Sequence, residues 1–171
     1  MRFARKRPLT GTTPIQMIKF VPSMTSVVME EIPGKVTLAI SISNCRGNCP
    51  GCHSPELRDN IGIPLTPSVI DDLLEKNFGV NCVLFLGEGD DIETLLDLAV
   101  YAGNHRAVAL YSGKTEVDKR CYWVFDYIKV GPYIKELGPL NKPTTNQRLY
   151  EIRRNGKGKY EKIDITSEFW R

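Results

Sequence analysis

The chain has 171 residues, of which 42% are hydrophobic and 25% charged, with a formal charge of +3. A chain of about 150 residues buries roughly 68–70% of its unfolded surface, so one domain with a real core is expected. The composition excludes disordered, collagen-like and coiled-coil classes, the small charge gives no argument for nucleic acid, and no apolar run nears the roughly 18 residues of a bilayer span.

Residues 1–19 read as a basic arm, opening Met1-Arg2-Phe3-Ala4-Arg5-Lys6-Arg7, and residues 20–171 as a single domain. No apolar stretch follows the basic start, so a secretory signal is not expected. Val36, Leu38, Ile40 and Ile42 alternate with Thr37, Ala39 and Ser41, the period of a strand. Asn44 to His53 follows, and Gly47, Pro50 and Gly51 make it a loop. Thr66-Pro67 is a helix start, with Val69, Ile70, Leu73 and Leu74 at helical spacing and Gly79 near its end. Val83–Leu86 is a short apolar strand ending in Gly87-Glu88-Gly89-Asp90-Asp91. A second helix places Ile92, Leu95, Leu96, Ala99 and Val100 on one face. Ala107–Tyr111 is a strand ending in Ser112-Gly113, Glu116–Phe125 a third helix, and Tyr127–Val130 a strand ending in Gly131-Pro132. Arg148–Arg153 and Tyr160–Ile165, around Asn155-Gly156, form a C-terminal hairpin.

Strands of about five residues alternating with helices of about ten predict βαβ units. The expected fold is α/β: an open, curved, mostly parallel sheet, too short for a closed eightfold barrel and so a partial βα barrel. The polar and glycine-rich segments all follow strands. In a parallel sheet they gather at the carboxyl ends, where ligands bind.

Three of the five cysteines, Cys45, Cys49 and Cys52, fall in one loop as C-x3-C-x2-C. A secreted disulfide framework is more often even in number and more widely spaced, so a reducing, cytoplasmic location and metal ligation are expected. Structural zinc usually takes four ligands, and His53 beside Cys52 leaves a zinc site open as an alternative. Ferredoxin clusters take a fourth Cys, which Cys82, opening an apolar strand, and Cys121, facing inward on a helix, do not supply; both read as small buried hydrophobes. Three thiolates on a four-iron cluster leave one iron open to a small molecule.

The cysteine motif at the end of the first sheet strand resembles the radical S-adenosylmethionine (SAM) superfamily. Cys49-Pro50-Gly51-Cys52-His53-Ser54-Pro55-Glu56-Leu57 looks like the activating proteins of anaerobic ribonucleoside-triphosphate reductase. Phe85 to Asp90 resembles that family's glycine-rich segment, and Gly131-Pro132 with Thr144-Thr145-Asn146-Gln147-Arg148 resembles its ending. The match covers roughly residues 30–152. It departs at Gly51, where many members carry an aromatic residue, and at Glu88, which separates two glycines usually adjacent.

The resemblance implies one 4Fe–4S cluster on Cys45, Cys49 and Cys52, with SAM as second cofactor and no catalytic side chain beyond the two. SAM would contact Gly51, Cys52, His53, Gly87, Gly89, Ser112 and Arg148, with either Glu88 or Asp90 on its amino group. The implied activity is an oxidoreductase that installs a glycyl radical on anaerobic ribonucleoside-triphosphate reductase, supplied by a low-potential electron donor such as flavodoxin or ferredoxin. The alternatives are activation of another glycyl-radical enzyme of pyruvate formate-lyase type, or a non-catalytic iron–sulfur or zinc module.

Overall fold

The computed structural model describes residues 17–170. Most of the expected basic arm therefore lies outside the described residues. Of its described residues, Ile18 is buried, and Lys19 belongs to β1 (Lys19–Phe20), which pairs antiparallel with β4 (Ile63–Pro64).

The main sheet has seven strands in the order β2 (Ser26–Val28), β3 (Thr37–Ser41), β5 (Cys82–Leu86), β6 (Ala107–Tyr111), β7 (Tyr127–Val130), β8 (Arg148–Asn155) and β9 (Lys159–Asp164). β3, β5, β6 and β7 are mutually parallel; β2 pairs antiparallel with β3 at one edge, and on the other side β8 pairs antiparallel with β7 and β9 antiparallel with β8. The result is a mixed α/β fold with a parallel centre.

Each central strand sends alternate residues to opposite faces. Leu38, Ile40, Val83, Phe85, Val108, Leu110 and Ile128 face one apolar cluster, which also takes Leu95, Ala99 and Phe125. Ala39, Cys82, Leu84 and Ala109 face the other, where Ile32 and Leu149 join them. Both faces are covered, so β3 is buried along its whole length, polar Thr37 and Ser41 included.

Local chemistry sets the helix ends. In α1 (Pro67–Lys76) the Thr66 hydroxyl accepts from the Val69 N–H at 3.3 Å, with Pro67 at the first position. In α2 (Ile92–Gly103) an Asp91 carboxylate oxygen accepts from the Glu93 and Thr94 N–H groups at 3.1 and 3.3 Å. The third helix is much shorter than its pattern: α3 spans only Cys121–Val124. Asp118 is the reason. Its side chain accepts from the Arg120 N–H at 2.9 Å and binds the Arg120 guanidinium, a local turn that competes with helical continuation.

Candidate functional site

The register of the parallel strands aligns Ser41, Leu86, Tyr111 and Lys129 in one row at their carboxyl ends. The loops that leave these ends surround a cavity of about 490 Å³. Cys45, Cys49, Cys52, Gly87, Ser112 and Gly131 all line it. Four loops remote in sequence thus converge because the strands before them are parallel and in register.

The cysteine loop is tied at its base. Asn44, with φ 59°, turns the chain away from β3. The Asn44 N–H then donates to the Asp59 carbonyl at 3.0 Å and the Cys45 N–H to the Leu57 carbonyl at 2.8 Å. Farther out, Arg58 donates to the Cys49 carbonyl at 2.9 Å and the Cys52 N–H to the same oxygen at 3.2 Å. All three thiols are free and partly exposed.

Glycine keeps the space beside the sulfurs clear. A Cβ at Gly47 would lie 3.3 Å from the Cys45 Sγ and 3.9 Å from the Cys49 Sγ, and one at Gly113 would lie 3.3 Å from the Cys49 Sγ. The Gly47 N–H also points at the Cys45 Sγ, at 3.4 Å. Among the described residues, no three His, Cys, Asp or Glu side chains meet where a single ion would be held. The thiols instead line a common cavity, with His53 edge-on to Tyr133 at 4.7 Å between ring centres. Three unpaired thiols of a single loop thus line one cavity.

The remaining expected residues divide. Gly51 (φ +72°) backs onto the Tyr133 ring, 3.7 Å from its Cβ position. Gly87 (φ +99°) lines the cavity, and its N–H donates to the Tyr111 carbonyl at 3.0 Å. Ser112 is buried on the wall, its hydroxyl accepting from the Lys114 N–H at 3.1 Å. Gly51, Glu88, Gly89, Asp90 and Arg148 do not line the cavity. Glu88 pairs with Lys114 at 2.6 Å, leaving its Oε1 buried without a partner, and Asp90 pairs with Arg46 at 3.2 Å. Gly89 aims its Cβ position at Ile42, 3.2 Å from Cγ2, and at Ile18, 3.7 Å from Cγ1. Arg148 spends its guanidinium on the Thr145 and Gln147 carbonyls, both at 2.8 Å, and lies 3.7 Å from Asp164. Cys82 and Cys121 are fully buried, and burial pushes both thiols up to about 12.

Sequence reasoning missed Tyr111, Lys129 and Tyr133 on the cavity wall, which also takes Gln147 of the quoted ending. The Lys129 ammonium lies 5.0 Å over the Tyr111 ring, and burial lowers it to about 8. Burial, with Glu31 nearby, raises the Tyr111 hydroxyl well above its usual value, and that hydroxyl donates to the Glu31 carbonyl. Gln147 is buried and donates to the Gly131 carbonyl at 3.3 Å. A signal for Lys129 existed: a lysine inside an apolar strand, two residues before Gly131-Pro132. No protein-family model, curated protein or solved structure matches this chain.

Proposed function

We propose that this protein is a radical SAM activating enzyme that generates a glycyl radical on anaerobic ribonucleoside-triphosphate reductase. The observation that carries the reading is the convergence of Cys45, Cys49 and Cys52 on one cavity with Gly87, Ser112 and Gly131, at the carboxyl ends of parallel strands. The motif resemblance adds the superfamily and the class of partner. On this reading the curved sheet is a partial βα barrel closed by a C-terminal hairpin, and the enzyme works in the cytoplasm with a flavodoxin or ferredoxin as donor.

Cys45, Cys49 and Cys52 would hold a 4Fe–4S cluster. When bound, the cluster with SAM supplies one-electron cleavage of the sulfonium and a carbon radical that removes hydrogen from a glycine. The chain's own residues bind, orient and shield. The Gly47 N–H donates toward the Cys45 sulfur, and such bonds tune cluster potential. Gly87 lines the cavity at φ +99°, a backbone conformation that favours glycine. The Lys129 ammonium adds positive charge to the cavity lining beside the Tyr111 ring.

The test is anaerobic reconstitution and reduction, with SAM, in the presence and absence of the reductase. 5′-Deoxyadenosine together with a glycyl radical on the reductase supports the proposal. A radical only on a pyruvate formate-lyase-type enzyme supports the neighbouring activase, and no SAM cleavage at all leaves an iron–sulfur or zinc module.

A further inference from the structure

The cysteine cavity carries two aromatic rings and a carboxamide to which the function proposed above gives no role. Tyr133 and His53 both line it, with ring centres 4.7 Å apart and planes at 66° to each other. The Tyr133 ring rests against the turn at Gly51: its Cε1 and Cδ1 lie 3.7 and 3.9 Å from the Gly51 Cβ position, ordinary contact distances.

Gln147 lines the same cavity and is only 6% exposed. Its Nε2 donates to the Gly131 carbonyl at 3.3 Å. A carbonyl has no hydrogen to give, so this bond orients the amide, with nitrogen toward Gly131 and oxygen away from it. Among the described residues, nothing donates to the Gln147 Oε1, and its second Nε2 hydrogen has no acceptor. A buried polar group left unmatched is costly, and a ligand in the cavity can match both. The neighbouring Asn146 donates from Nδ2 to the Pro132 carbonyl at 2.9 Å. Two successive side chains thus hold two successive carbonyls of the segment that carries Tyr133. Gly131 (φ +107°) permits this close return, since a Cβ there would lie 3.1 Å from the Gln147 Cα.

Aromatic side chains take planar heteroaromatic rings by stacking. A carboxamide with a free oxygen and one free N–H matches adenine, whose exocyclic amine donates and whose N7 accepts on a single edge. Hypoxanthine has an oxygen in place of that amine and would set acceptor against acceptor. We propose that Tyr133 and Gln147 are the base-recognition residues of this cavity, Tyr133 stacking on an adenine ring and Gln147 reading its N6–N7 edge; that the nucleoside is SAM rests on the function proposed above.

Calorimetric binding of S-adenosylhomocysteine and S-inosylhomocysteine to the anaerobically reconstituted, full-length protein tests it without turnover. Wild type should bind the adenine compound about tenfold or more tightly than the hypoxanthine compound. Gln147→Met, with folding confirmed by circular dichroism, should bring that ratio toward one. Tyr133→Leu should weaken both compounds by about fivefold or more and leave their ratio in place. Equal wild-type affinity for the two compounds overturns the proposal, even where SAM is cleaved. An unchanged ratio in folded Gln147→Met overturns the edge contact, and unchanged affinity in Tyr133→Leu overturns the stacking. If Gln147→Met does not fold, the wild-type ratio and Tyr133→Leu decide. Adenine-selective binding of ATP over inosine triphosphate, with neither thioether bound, supports the base contact and contradicts SAM as the nucleoside.

Discussion

Replacing Gly89 with valine separates two roles for the glycine-rich segment after β5. Gly89 has φ +63°, where a residue with a Cβ is strained, and its Cβ position lies 3.2 Å from the Ile42 Cγ2 and 3.7 Å from the Ile18 Cγ1. A left-handed backbone costs about 1–2 kcal/mol for an ordinary residue. Forcing extra methyls into packed core costs typically about 1–3 kcal/mol more. The expected loss is about 2–5 kcal/mol, and at roughly 2–4 °C per kcal/mol for a domain of this size the melting temperature should fall by about 4–20 °C. The added side chain points into the core and not into the cysteine cavity. Below the lowered transition, SAM binding to the reconstituted variant should therefore stay near wild type. Thermal unfolding by circular dichroism and equilibrium SAM binding are the two assays. An unchanged melting temperature with binding abolished would refute the reasoning, because Gly89 would then face the ligand.

Replacing Cys45, Cys49 or Cys52 by Ala should remove bound iron after reconstitution, whereas Cys82→Ala and Cys121→Ala, at fully buried positions, should retain it; iron analysis decides. The Lys129 ammonium titrates near about 8 in the fold against 10.5 unperturbed, so the unfolded chain holds that proton to higher pH. Its contribution to stability is therefore complete above the unfolded value and is lost as pH falls through the folded one. Wild type should gain up to about 3 kcal/mol relative to Lys129→Met as pH rises across that window, and denaturant titrations showing a flat difference would contradict the burial. Arg148→Ala removes the bonds to the Thr145 and Gln147 carbonyls. It should lower glycyl-radical yield on the reductase, read by electron paramagnetic resonance, while partner-free SAM cleavage survives; loss of both would place Arg148 at SAM.

The central strands and the first two helices were legible because their signals are local: apolar runs of strand length, Thr66-Pro67, and Asp91 ahead of Ile92. The third helix was overstated because Asp118 closes a turn that apolar spacing does not register. β1 and β4 were invisible, since each is two residues long and exists through its pairing with the other. At the site, C-x3-C-x2-C marked the thiols directly. Tyr111, Lys129 and Tyr133 acquire their positions from strand register and loop return, which spacing along one chain does not encode. The same applies to Gly89: its neighbour Gly87 lines the cavity, yet φ and packing turn Gly89 toward Ile18.

The most direct test of the central claim is electron paramagnetic resonance of the anaerobically reconstituted, reduced protein before and after SAM. The account predicts one 4Fe–4S cluster per chain whose spectrum shifts on adding SAM, because the cysteine loop furnishes three thiolates and leaves one iron open to the ligand. A spectrum unchanged by saturating SAM, or a protein that takes up zinc and no iron, would contradict it.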